Sequence, residues 1–208
     1  MNTKLIDYPD DKVRRHLNII DENLIYSNNI IGDLLEVGRN KINDLQIGNV
    51  KIILESAIAK ITFPENIKII KKLEKTPMLT LDSEHIQRVF VNIIENAIQA
   101  MPEGGELIIG LSRFKDSIEI SFKDTGVGIS EGNMKKLFTP LFTTKTKGLG
   151  LGLVISKQIV EAHRGEIVVK SKEGEGTIFT VRLPINFEGV LLKDVQLDIN
   201  VLNWGNSK

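Results

Sequence analysis

The sequence predicts an α+β protein, a two-layer sandwich with helices on one side of an antiparallel or mixed sheet. Two pairs of alternating segments, residues 106–113 with 117–123 and 166–171 with 177–183, read as hairpins. Helical periodicity runs through residues 82–101 and 151–162, which flank and separate those strands. A composition of 41% hydrophobic residues over 208 positions is enough to bury one core, which excludes disorder throughout.

The elements follow in order. Between Pro9 and Pro64 there is no proline, and Asp10 or Asp11 can cap a long helix over residues 12–39 by accepting its first free amide protons. Val13, Leu17, Ile20, Leu24, Ile31 and Leu34 fall on alternating four- and three-residue steps, with Ser27 the polar member of the seam. At 1.5 Å per residue such a helix is a rod of roughly 40 Å whose seam needs a partner helix. Residues 40–48 read as a polar connection, 50–61 as a shorter amphipathic helix stopped by Pro64. Residues 66–73 and 79–81 read as strands, and Asp82 opens the helix that reaches Met101. A turn at Pro102-Glu103-Gly104-Gly105 leads into the first hairpin, folded about Lys115-Asp116. Residues 124–150 are rich in glycine and threonine, with a short helical stretch near 133–138; a loop of that length in a compact domain is functional or mobile. The tail, residues 187–208, has no clear period.

Lysine plus arginine and aspartate plus glutamate each total 27, so no global charge draws the chain to nucleic acid or to an anionic membrane. The absence of cysteine excludes disulfides, thiolate zinc sites and thiol nucleophiles, and fits a cytoplasmic setting. No apolar run approaches the roughly 20 residues of a membrane-spanning helix.

Four motifs carry chemistry. Asn92 and Asn96, four apart, place two amides on one face of a helix whose other face is apolar, with His85 and Gln99 a heptad step to either side. Asparagine is a mediocre helix former, and an amide oxygen can ligate magnesium. Asp124-Thr125-Gly126-Val127-Gly128-Ile129 follows a strand; a carboxylate there accepts from an exocyclic amine, and glycines let backbone approach a flat ring. Gly148-Leu149-Gly150-Leu151-Gly152-Leu153 runs into a helix, where free amides and the helix N-terminus favour a polyphosphate. The spacing is not that of a P-loop, and no βαβ unit supports a dinucleotide fold. Gly174-Glu175-Gly176-Thr177 joins the last two strands.

Taken together and in order, these motifs resemble the ATP-binding domain of sensor histidine kinases, within the GHKL group that also holds gyrase, MutL and the large heat-shock chaperones. Residues 92–97 look like the N box, 124–128 the first glycine box, 138–145 the F box, and 148–153 the second glycine box. The resemblance implies the GHKL ATP-binding fold over residues 46–186, with ATP and Mg²⁺ as ligands. Asp124 is then expected to take the adenine amine, with Gly126, Gly128 and Ile129 around the base and Thr177 beside it. Asn96 is expected to hold Mg²⁺ on the phosphates with Asn92 in support. Residues 133–147 are expected to form a mobile lid that brings Thr143, Thr144 and Lys145 near the nucleotide, and Gly148, Leu149, Gly150, Leu151, Gly152 and Leu153 to wrap the phosphates.

Members of the group that hydrolyse ATP carry a glutamate where this chain has Asn92. An amide cannot take a proton from water, so transfer to a protein side chain is favoured over hydrolysis. Glu95 lies about 100° round the helix and is a poor substitute base. The acceptor of a histidine kinase is a His followed by an acid and then a Pro. His16 is followed by Leu17 and Asn18, His85 lies on the N-box helix, and His163 ends a helix, where its charged form would suit the dipole. Residues 1–45 therefore resemble the second helix of a dimerisation hairpin, with the first helix outside this chain. The expected partners are a His-bearing hairpin in cis or in trans, a response regulator receiver domain and a weak homodimer, with no nucleic acid. A nucleotide-binding regulatory module or an anti-sigma-type serine kinase of the same fold is the alternative.

Overall fold

The computed structural model describes residues 13–17, 19–20, 32, 45–145 and 148–185. The chain divides into two compact units, Met1–Arg39 and Asn40–Lys208. In the first, the described residues 13–17, 19, 20 and 32 are helical, and Val13, Leu17 and Ile20 of the seam are exposed. Leu24, Ile31 and Leu34 lie outside the described residues, as does the tail 187–208.

The second unit holds β1 (Gln46–Gly48), α1 (Val50–Ala59), β2 (Ile67–Leu73), β3 (Leu79–Leu81), α2 (Ser83–Gln99), β4 (Gly105–Phe114) and β5 (Ser117–Asp124). There follow α3 (Glu131–Met134), α4 (Gly152–Ala162), β6 (Glu166–Lys172) and β7 (Gly176–Pro184). Five strands form one sheet in the order β2-β4-β5-β7-β6. Only β2 and β4 run parallel, because β3 and α2 supply the long crossover that parallel neighbours need. The other three pairs are antiparallel. The sheet is thus mixed, as the sequence predicts.

One face of the sheet is apolar. Leu107, Ile109 and Leu111 of β4, Ile118, Ile120 and Phe122 of β5, and Phe179, Val181 and Leu183 of β7 alternate inward along their strands. The helices meet them with Val50, Leu54 and Ala57 of α1, Ile86, Val89, Phe90, Ile93, Ile94 and Ala97 of α2, and Ile155 and Val160 of α4. Phe90 packs at 45° on Phe122, with centroids 5.8 Å apart. The opposite face is mostly polar, with Ile70, Ile108, Val168 and Ile178 half-buried among charged and hydroxyl side chains; Arg182 of β7 lies between Glu119 of β5 and Glu166 of β6, the residues in register with it, and binds both. Helices cover one side and water the other, which is the two-layer sandwich.

Local chemistry sets the ends. Asp82 accepts from the His85 amide at 3.1 Å and Asn49 from the Lys51 amide at 2.9 Å, so both caps lie one residue before the helices they start. Two expectations need correction. Residues 46–48 are a strand paired antiparallel with β3, Gln46 opposite Leu81, rather than part of a polar connection. His163 is not a charged helix end: it is buried, with Nε2 accepting from the Asp82 amide at 2.9 Å and Nδ1 donating to the Ile159 carbonyl at 2.7 Å. Burial holds its pKa below the ordinary value, against the Ile159 contact and the Asp82 charge. The neutral ring joins the start of α2 to the end of α4.

Candidate functional site

The site is built round the C-terminal half of α2. Its apolar stripe is committed to the core, which turns Asn92, Asn96 and Gln99 to the other side of the helix. Asn92 Nδ2 donates to Ser156 Oγ at 2.9 Å, and Asn92 Oδ1 accepts from Asn96 Nδ2 at 3.3 Å. The chain of amides orients Asn96 so that its oxygen faces outward, where the Lys145 ammonium binds it and Gln99 Oε1 together. Desolvation lowers the Lys145 pKa, opposed by the Glu95 charge; desolvation likewise raises the Glu95 pKa, with Lys145 drawing it back. A cation therefore already rests on the amide oxygen expected to ligate magnesium. His85, at the other end of the same helix, pairs instead with Asp82, its Nδ1 2.7 Å from Oδ2.

The second glycine box meets α2 at Asn92. A Cβ on Gly152 would sit 2.4 Å from Asn92 Oδ1, so a larger residue there would push the Asn92 amide out of its place. Leu151, at the N-cap, supplies no side-chain hydrogen bond, and the first amide protons of α4 are left for an acceptor from outside the helix. Gly148 is exposed and Leu149, Gly150 and Leu153 half-buried, whereas the Leu151 side chain is buried with the core. What Leu151 offers a ligand is backbone. Gly150 packs on the Phe142 carbonyl, and the F-box rings are held by cations, Phe138 under Lys157 at 5.2 Å and Phe142 under Lys136 at 5.9 Å. Thr143 Oγ1 accepts from the Lys145 amide at 3.1 Å, and Thr143 and Thr144 are exposed. Thr146 and Lys147 lie outside the described residues.

The first glycine box closes the other end. Asp124, the last residue of β5, is 2% exposed. Its Oδ1 accepts from the Gly126 amide at 2.9 Å and the Thr177 amide at 3.1 Å, which leaves the second carboxylate oxygen for another donor. Desolvation raises its pKa, with the Gly126 and Thr177 amides pulling the other way. The Val127 amide donates to the Ala100 carbonyl at 3.0 Å and Gly126 packs on that carbonyl, so the loop is tied to the end of α2, one turn beyond Asn96. Gly128, at φ 69°, lies so close to the Lys172 carbonyl that a Cβ would fall 2.1 Å from it.

Two residues not singled out in the sequence complete the arrangement. Ser156 anchors Asn92 one helical turn after Gly152. Ser171 of β6 accepts from the Ile129 amide at 2.8 Å, donates to the Gly176 carbonyl at 2.9 Å and meets Thr177 Oγ1 at 2.9 Å. Its register position opposite Thr177 was the available signal, since paired hydroxyls across a hairpin face one another.

Residues 81–186, just over half of the chain, match the sequence profile of the family described as "Histidine kinase-, DNA gyrase B-, and HSP90-like ATPase". The chain belongs to that family. The signal transduction histidine-protein kinase AtoS of Escherichia coli is 33% identical over 181 residues, covering 85% of this chain and 30% of AtoS. Sporulation kinase E of Bacillus subtilis is 41% identical over 114 residues, 54% of this chain and 15% of that kinase. The chain thus spans less than a third of either relative. Among solved structures, the histidine kinase ThkA in complex with the response regulator protein TrrA superimposes with a TM-score of 0.69 at 25% identity, over 89% of this chain and 55% of that one. In this ATPase family's fold, the mixed sheet and the helical layer agree with the predicted GHKL architecture.

Proposed function

We propose that this chain binds Mg-ATP and transfers the γ-phosphoryl group to a histidine of a sensor kinase dimerisation hairpin, as the catalytic portion of a two-component histidine kinase. The observation that carries the reading is the buried Asp124 carboxylate, with one oxygen held by two backbone amides and the other free for the adenine amine. Gly126, Gly128, Ile129 and Thr177 surround the base. The Ile129 amide is already taken, so its side chain makes the contact. The phosphates lie along residues 148–153 at the start of α4, with Thr143, Thr144 and Lys145 from the lid, residues 133–147.

Magnesium fits the donor set. Asn96 presents one hard oxygen, oriented by Asn92 and already facing a cation, and no cluster of three or more acidic or imidazole groups exists among the described residues. That suits an ion held by one protein ligand, waters and the phosphates. The metal supplies charge neutralisation on the transferring group, and Asn92 keeps Asn96 in place. With an amide at position 92 no base is positioned for water, and the outcome is transfer.

In this reading, residues 1–45 are the helical dimerisation segment, 46–186 the catalytic domain and 187–208 a tail of unassigned role. The acceptor His comes from a hairpin in cis in a longer chain or in trans, and a response regulator receiver domain takes the phosphoryl group onward. The ThkA–TrrA complex supports that last partner. A weak homodimer through the 12–39 seam and a cytoplasmic setting, where ATP is available, complete the proposal. The test is a mixture of this chain, labelled ATP and a separate hairpin carrying a His-acid-x-x-x-Pro segment. Acid-labile label should appear on the hairpin and not on this chain, and should vanish with Asp124→Asn. Label on this chain that is lost with His16→Gln would overturn it.

A further inference from the structure

The hydroxyl of Ser171 has three neighbours and one proton. A hydroxyl donates once and accepts twice. The Ile129 amide can only donate to it and the Gly176 carbonyl can only accept from it. Its single proton therefore goes to Gly176, and among the described residues the partner for its remaining lone pair is the Thr177 hydroxyl, 2.9 Å away. The proton of Thr177 is thus turned back into the β6–β7 hairpin. What Thr177 leaves for a ligand is lone pairs.

Thr177 lies against Asp124, its amide bound to Oδ1, and Asp124 has only acceptor oxygens while ionised. Both residues are at most 3% exposed, so a polar group left unmatched there costs free energy. We propose that Ser171 is a positioning residue for base selection: by fixing the direction of the Thr177 proton it makes this end of the pocket acceptor-only, which admits a 6-amino purine and rejects a 6-oxo purine. An exocyclic amine brings two protons to two acceptors. A 6-oxo group would bring a third acceptor, and a freely turning Thr177 hydroxyl could satisfy it by donating. Removing Ser171 releases that hydroxyl. The inference rests on the adenine reading of Asp124 and adds to it a residue that need not touch the nucleotide.

The experiment compares the dissociation constants of Mg-ATP and Mg-ITP, which differ at position six, amine against oxo, and at N1, bare in adenine and protonated in the 6-oxo base, for the wild type, Ser171→Ala, Ser171→Thr and Thr177→Val. The wild type should favour ATP by about 100-fold or more, as sites built round buried hydrogen-bond partners do. In Ser171→Ala the ITP-to-ATP ratio should fall by about tenfold. Ser171→Thr, which keeps the hydroxyl, should hold the wild-type ratio. In the Thr177→Val background, adding Ser171→Ala should leave the ratio where Thr177→Val alone puts it, because the two residues act through one proton. Should Ser171→Ala not fold, Ser171→Cys keeps the volume while weakening both hydrogen bonds and carries the same comparison. Equal weakening of ATP and ITP in Ser171→Ala, with the ratio unchanged, would overturn the proposal and leave the adenine reading intact. A wild type that binds neither nucleotide, or prefers ITP, would overturn both.

Discussion

Replacing Asp124 separates two roles that a simple truncation would confuse. The carboxylate is buried, and its Oδ1 satisfies two backbone amides, those of Gly126 and Thr177, at 2.9 and 3.1 Å. Asp124→Ala orphans both. At about 1–3 kcal/mol for each unsatisfied buried group, the loss is roughly 2–6 kcal/mol, a large share of a small domain's total stability. Asp124→Asn keeps an oxygen in the Oδ1 position and should cost no more than about 1 kcal/mol. It also puts an NH2 donor where the free oxygen stood, opposite the adenine amine. Losing a hydrogen bond to a charged acceptor, worth about 1.5–3 kcal/mol, and opposing two donors should weaken Mg-ATP at least 100-fold. Calorimetric titration with an unreactive ATP analogue and urea unfolding of the same preparations read both quantities. The reasoning fails if Asp124→Asn binds within threefold of the wild type, or if Asp124→Ala is as stable as Asp124→Asn.

Other outcomes follow from the same geometry. The raised Asp124 pKa gives opposite pH dependences: its contribution to stability is fully present below the ordinary aspartate value and is lost as pH rises through the raised one, while Mg-ATP binding, if it uses the carboxylate as proposed, should be lost as pH falls through it. Affinity titrations should fail at a higher pH than for an ordinary aspartate. His163 behaves conversely, since its lowered pKa makes the folded state lose stability as pH falls from about 6.5 towards the depressed value; the unfolding free energy of the wild type from urea titrations should carry that loss, and His163→Phe, less stable at neutral pH by about 1–3 kcal/mol for the orphaned Asp82 amide, should lack it. Phe90→Ala should cost about 3–5 kcal/mol in urea unfolding, because Phe90 is fully buried against Phe122. Steady-state phosphate release should be very slow with Asn92 in place of a base; turnover like that of a glutamate-bearing hydrolase would contradict the transfer reading. Leu17→Asp with Leu24→Asp should abolish any weak dimer seen by sedimentation.

Much of this was legible because the signals were local. Asp82 capped its helix one residue ahead of Ser83, and alternation placed β4 to β7 within one or two residues of their ends. The three-residue β1 has a single apolar side chain, Ile47, which points to no face, and its pairing with β3 is a tertiary fact. The glycine boxes are backbone signals and survive in sequence as spacing. Ser156 acts through one hydroxyl, and a lone serine in a helix has no period to announce it, whereas Ser171 could be found only by working out the β6–β7 register that sets it opposite Thr177. His163 was misread because a helix end suggests charge, while burial, which sequence position does not report, decided for the neutral ring.

The Lys145 ammonium on Asn96 has a consequence for exchange. An amide oxygen that always faces a positive charge never has to be desolvated bare, whichever partner it holds. If the nucleotide brings its own magnesium, arrival swaps one cation for another and frees the lysine to follow the phosphates; departure reverses the trade. On that reading Asn96 would hold the metal only while the nucleotide is bound, and the tethered Lys145 ammonium would take its place when the nucleotide leaves. Lys145→Gln should accordingly weaken binding of the metal-free nucleotide, through the lost phosphate contact, while lowering by a few-fold the magnesium concentration needed for half the magnesium-dependent gain in affinity, since the ion no longer displaces a tethered ammonium; a midpoint unmoved in magnesium titrations would refute the exchange.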